Sequence, residues 1–205
     1  MGILAGFSVR CYAFQSGKLI RCVCRMISNP REIIDFWREL GPKKWFSKDE
    51  AVDAEITSRF EESVEKAGSG GYDHWVSDPD GALALIIMLD QFPRNMYRNS
   101  AKAFSQDKQC VGVTHKAIAA GLDQQMSEDL RPFCYMPLMH SEDLENQEKC
   151  IEMMEKTGKE ENVKHAVIHR DIIRDFGRFP HRNNVLGRHT TPEEAKFLKE
   201  GGFSG

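Results

Sequence analysis

Ala82–Leu89 (ALALIIML) is apolar on every side of a helical wheel. Asp78-Pro79 ahead of it is a helix start and Pro93 beyond it a stop, so a helix over Ala82–Asp90 is expected. A helix without a polar face has to be enclosed by other elements, and the chain must fold around this one. The run is far short of the roughly 20 residues that a membrane span needs. The expected helix ends on an acid. Asp90 shares a helical face with Ile86 and Ile87, and an ionised carboxylate in that setting needs cations and donors beside it.

The surrounding elements also carry helix signals. Pro30–Leu40 starts under Asn29 or Ser28 with Pro30 at the first helical position, and Gly41-Pro42 stops it. Ser47–Glu50 has the pattern of a capping box opening a helix to about Ala67. Ser100 or Ser105 starts a helix ending at Ala120 with Gly121 as its cap, and a short one is expected over Ser127–Phe133. Ser141–Thr157 follows, with Ser141 as cap and Glu142 and Asp143 in the first turn. Thr191-Pro-Glu-Glu194 is a second capping box, for a last helix closed by Gly201-Gly202. No stretch sustains strand alternation. The expectation is an all-α fold of about eight helices joined by short loops.

Residues 1–28 stand apart, with no Asp or Glu and four cations (Arg10, Lys18, Arg21, Arg25). They suit a disordered or targeting extension, or a start of translation at Met26, and they are set aside, leaving 29–205 as a single helical domain. The net charge of −3 argues against bulk attraction to nucleic acid or an anionic membrane. Six cysteines are too few and scattered for a disulfide framework. Cys22-x-Cys24 has the wrong spacing for a zinc or redox pair. Free thiols and a cytoplasmic protein follow.

The richest chemistry lies in His165–Arg188. Val163, Ala166, Val167, Ile172, Ile173 and Phe176 form one apolar sector of a helix that Gly177 ends in a left-handed cap. His165 and His169 fall inside that sector, so both rings are expected to be at least partly buried and to need partners. From Phe176 to Pro192 there is no carboxylate, only Arg178, His181, Arg182, Arg188, His189 and the amides Asn183 and Asn184. Such a loop wants an anion, from the chain or from a ligand. An echo links Phe92-Pro93-Arg94-Asn95 with Phe179-Pro180-His181-Arg182-Asn183, which fits chance or a duplicated helical hairpin.

LDQFPRNMYR (89–98), AFSQD (103–107), AGLDQ (120–124), YMPLMHSE (135–142) with Gln147, and HRDIIRDFGRFPHRNNVLGR (169–188) together resemble the uncharacterised bacterial family catalogued as domain of unknown function 924. The likeness runs from about Ile33 to the end of the chain. It implies a right-handed superhelix of antiparallel helices of the tetratricopeptide-like kind, and no established activity.

Two functions remain open on the residues. In one, a small anionic molecule binds a buried polar cluster, extending to a hydrolase-type enzyme. His169, His140 and Asp90 would then be the catalytic candidates, with Arg94, Asn95, Glu142, Arg178, His181, Arg182, Asn183 and Arg188 holding the ligand. In the other, the helices bind a protein or peptide partner, and the arginines only neutralise Asp90, Asp107, Asp123 and Glu142. His165-x3-His169 has metal-pair spacing, with His140, Glu142 or His181 as a third ligand, yet lacks the zincin glutamate. Two core histidines are the better reading, with no metal and no cofactor. No glycine-rich phosphate loop or Gly-x-Ser-x-Gly elbow is present.

Overall fold

The computed structural model describes residues 11–15, 18–22, 27 and 29–203. The expectations of a targeting segment, a start at Met26, a Ser28 cap and a Cys22–Cys24 pair fall largely or wholly on positions outside these. Cys11–Gln15 (β1) pairs antiparallel with Lys18–Cys22 (β2), Cys11 opposite Cys22. A hairpin was not expected there; five-residue strands are too short to show as sustained alternation.

Everything described from Asn29 onward is helix, turn or loop. The helices are α1 Arg31–Leu40, α2 Pro42–Trp45, α3 Glu50–Gly68, α4 Pro79–Ile86, α5 Phe92–Met96, α6 Asp107–Ala119, α7 Arg131–Met139, α8 Leu144–Glu155, α9 Glu160–Phe176 and α10 Pro192–Lys199. Their starts follow from local hydrogen bonding. The Asn29 side chain accepts from the Arg31 N–H at 3.0 Å, leaving Pro30 where its missing N–H costs nothing. Thr191 and Glu194 close a reciprocal capping box at α10.

Two caps differ from expectation. Asp49, not Ser47, accepts from the Ala51 and Val52 N–H groups, while the Ser47 hydroxyl donates to the Lys44 carbonyl. Asp143, not Ser141, caps α8 and accepts from Glu145 and Asn146. In each case a carboxylate two residues on outcompetes a hydroxyl for the same N–H groups. Glu142 is thereby left in the loop instead of the first turn. The helix expected over Ser127–Phe133 also moves: α7 starts at Arg131 and continues through Pro137 to Met139.

The apolar helix is central. Ala82 through Leu89 are each no more than 2% exposed, and α4 packs against α1, α6 and α7. Pro93 does not end the rod. Over Ile87–Gln91 the backbone widens into a π turn, the Phe92 N–H reaching the Ile87 carbonyl, and α5 continues directly. The shifted ladder accommodates a proline that an unbroken α-helix would reject. α4 and α5 thus form one rod, and the ten helical segments amount to nine rods among the described residues.

Phe92, just past the turn, sits 4.9 Å from Phe60, 5.8 Å from Trp37 and 6.1 Å from Phe36, while Phe133 meets Trp37 at 5.5 Å. Each such ring buried stabilises by about 1.5–3 kcal/mol. Four helices (α1, α3, α5, α7) are locked together there. α7 packs on α8 and α8 on α9, which brings the histidine helix onto the far end of the central rod.

The caps give a direct check. Asp49→Ala is expected to lower stability to urea by about 1 kcal/mol, against less than about 0.5 kcal/mol for Ser47→Ala. Equal effects would reverse the assignment.

Candidate functional site

The π turn presents Asp90 to the neighbouring helices with no solvent exposure. His140, at the end of α7, places Nδ1 2.8 and 3.0 Å from the two Asp90 oxygens. Arg94 lies 3.1 Å from Oδ1, and the Gln91 amide donates to Oδ2 at 2.6 Å. Burial opposes ionisation of Asp90, but Arg94 and then His140 outweigh it, holding the carboxyl well below its ordinary range. For His140 burial dominates, and the imidazole falls below its ordinary value despite Asp90. The pair at neutral pH is therefore a carboxylate accepting from a neutral ring. Nδ1 carries the hydrogen and Nε2 keeps its lone pair, with no partner among the described residues.

Arg94 also donates to the Asp90 carbonyl at 2.8 Å and to Asp107 at 3.0 Å, tying α5 to the start of α6. Arg182 enters from the Phe179–Arg188 loop and lies between two rings, 4.7 Å from Phe104 and 4.4 Å from Phe179. It donates to the His140 carbonyl at 3.0 Å and reaches Asp107 at 3.5 Å, while its buried Nε has no partner among the described residues. Burial, then Arg94, lowers its pKa to about 10, so it remains a cation.

His169 completes this side. Its ring centroid is 6.4 Å from that of His140, and its Nδ1 donates to the His165 carbonyl at 2.7 Å. Burial first, then His140, depresses it to about 4. His181 is depressed to about 4 as well, by burial and then Arg182. Phe203, after α10, lies against both rings.

The remaining candidates divide between two neighbouring clusters and one distant contact. Arg188 clamps Glu142 at 2.6 and 2.9 Å, and Glu142 also accepts from the Phe179 N–H at 2.9 Å. Burial works against that carboxylate, but Arg188 and the Phe179 N–H hold its pKa below the usual range. Arg178 grips Glu194 at 2.6 and 2.9 Å, and Asn183 donates to the same acid at 3.0 Å. The Arg178 fork, with the Thr191 N–H, holds Glu194 down to about 2. Asn95 lies apart, donating to Asp53 on α3 at 2.8 Å.

Asp90, Arg94, His140, His169, His181 and Arg182 are thus brought together, and Glu142, Arg178, Asn183 and Arg188 pin the loop beside them. His165 is exposed, contrary to expectation. The i, i+4 histidine pair does not converge, and no group of three or more His, Cys, Asp or Glu among the described residues is placed to hold a metal ion. Asp123, read as a partner for the arginines, instead accepts from Tyr135 and Gln124 at 2.8 and 2.6 Å. Glu194 as an arginine partner, and Phe104, Phe179 and Phe203 as walls, were not foreseen. The capping box hid the first, and nothing local in sequence marks the rings.

The model of a family described as bacterial protein of unknown function, DUF924, matches residues 33–202. A solved structure of a protein of unknown function, ATU0120 from Agrobacterium tumefaciens, is 42% identical, covers 84% of this chain and 97% of its own, and superposes with a TM-score of 0.81. No curated protein matches. The chain belongs to the DUF924 family, a class of bacterial proteins of unknown function.

The neutral, buried histidines set a pH dependence. Both folded-state pKa values, about 4, lie below the ordinary 6.5. Between these limits the unfolded chain binds protons that the folded one refuses, so stability is full above pH ~6.5 and falls as pH drops toward ~4. His169 alone accounts for on the order of 3 kcal/mol. Melting temperature followed from pH 7 to 4 is expected to fall, and to fall less in His169→Gln.

Proposed function

We propose that the Asp90–His140 pair is an acid–base centre acting on a small anionic molecule, in the manner of a hydrolase-type enzyme. The observation that carries this is the geometry at His140: a carboxylate buried behind Nδ1 fixes the tautomer and leaves Nε2 as an unpaired base. Nε2 would take a proton from water or from a ligand hydroxyl, and the nearby Arg182, with its unpaired Nε, would face the anionic group. His169 and His181, uncharged, would shape the pocket. Neither a metal nor a cofactor is part of the reading. Residues 29–205 act as a single domain, and the family's tetratricopeptide-like superhelix is the arrangement proposed for its helices. A cytoplasmic location goes with it; Cys110, Cys134 and Cys150 are buried free thiols. No described helix is long and apolar enough to cross a membrane.

A second reading has its own observation. Arg94, Arg178, Arg182 and Arg188 each face a carboxylate of the chain: Asp90 and Asp107, Glu194, Asp107, and Glu142. Such matching suits a helical scaffold for a protein or peptide partner, with the polar clusters as internal cement. The excess of loop cation that favours a bound anion in the sequence is reduced once Glu194 and Asp107 are counted.

A thermal-shift screen of carboxylated and phosphorylated small molecules separates the two. The acid–base reading expects a molecule that raises the melting temperature of the full chain, with turnover of a hit falling roughly 10²–10⁴-fold in His140→Gln. The scaffold reading expects no hit, and only a modest loss of stability in that variant. Arg182→Ala is a poor probe, because emptying the space between Phe104 and Phe179 destabilises under either reading.

A further inference from the structure

One aromatic ring separates the imidazoles from a groove on the surface. Phe203 stands 4.5 Å from the His169 ring and 5.3 Å from that of His181, T-shaped to both. It also lines, with Ile168, Ile172, Phe176 and Phe197, an open groove of about 230 Å³ beside α9 and α10. Two groove acids, Asp171 and Asp175, are already paired with Arg170 and Arg174. What remains for a ligand is apolar surface, including Ile168 at 46% exposed.

The ring is held lightly. It follows Gly201, at φ 87°, and Gly202, where any Cβ would come within 2.6 Å of the Phe197 ring. The Gly202 N–H donates to the Phe197 carbonyl, but the Phe203 backbone makes no hydrogen bond among the described residues. Side-chain packing, on the histidine rings and on the small cluster of Ile172, Ile173 and Phe179, keeps it in place, and two glycines give the backbone freedom to carry it aside. Lifted away, it would join the groove to His169 and His181, and through them to His140, 6.4 Å beyond His169.

We propose that Phe203 is a removable plug, and that the groove and the position it vacates take the aromatic part of a small aryl anion whose charged end reaches His140 and Arg182. The assignment rests on the acid–base reading of His140 and adds the shape of the ligand. The groups around His169 are His140, the His165 carbonyl and ring, and Arg182. Glu142 stands near His181 and Asp90 behind His140, but each is already paired, with Arg188 and Arg94, so Arg182 is the charge an aryl anion would meet there.

The test uses the full chain, Phe203→Ala and Phe203→Leu, followed by NMR of the imidazoles and by titration with 3-phenylpropionate against propionate. In Phe203→Ala the His169 midpoint should rise from about 4 toward the ordinary 6.5 as burial is relieved. The same variant should bind 3-phenylpropionate about tenfold more tightly, a change of about 1.4 kcal/mol, with propionate unaffected. Phe203→Leu, which keeps an apolar cover, should behave as the parent. Unmoved midpoints overturn the plug; midpoints that move without tighter aryl binding reduce Phe203 to packing and overturn the ligand assignment. Neither readout needs turnover, so failure of the acid–base reading leaves them standing, and failure of the plug leaves the His140→Gln effect standing.

Discussion

The site depends on an ionised carboxylate buried at the end of an apolar rod. Asp90 is fully enclosed, and a lone charge there would cost several kcal/mol. It is tolerable because Arg94, one turn on, and His140, from another helix, sit within 3.1 Å of it. That compensation fixes more than a charge. Arg94 carries the interaction to Asp107 and so to α6, and Asp107 hands it on to Arg182 and the loop after α9. Elements far apart in sequence acquire a shared reference point near a centre that apolar packing alone would leave free to slide.

Two further acids hold that loop. Glu142 receives Arg188 and the Phe179 N–H, and Glu194 receives Arg178 and Asn183 while capping α10. Each is a bidentate arginine contact, and such forks specify orientation as well as strength. Together they set Phe179 and Arg182 in place over His140. The histidines are treated differently: burial and neighbouring arginine keep them neutral, even where Asp90 or Glu142 stands near. Asp90 keeps one of them oriented without charging it, which leaves a base in a site otherwise full of matched ions.

Much of this can be read in the residues. The all-apolar run predicts a central helix, and an acid on its buried face predicts a buried ion pair, because both follow from one helical wheel. The left-handed end at Gly177 and the box at Thr191 are local hydrogen-bonding patterns and are legible for the same reason. Pro93 misleads, since the cost of proline is set by backbone register and a π turn changes that register without a sequence mark. Ser47 and Ser141 mislead because an aspartate two residues on competes for the same N–H groups. The pairing of Arg178 with Glu194, or of Arg188 with Glu142, is a tertiary fact; composition shows cations in excess locally without saying which distant acids fold back to meet them.

The π turn over Ile87–Gln91 acts as one residue inserted in an otherwise regular rod. Without it everything beyond would rotate by about 100° and retreat by about 1.5 Å. The rod's two halves are therefore out of phase. The upstream half can bury its whole circumference, while the downstream half points Phe92 into the aromatic cluster and Arg94 at the carboxylates. A single helix meets two incompatible demands, dryness along its length and charge at its end, by changing pitch between them.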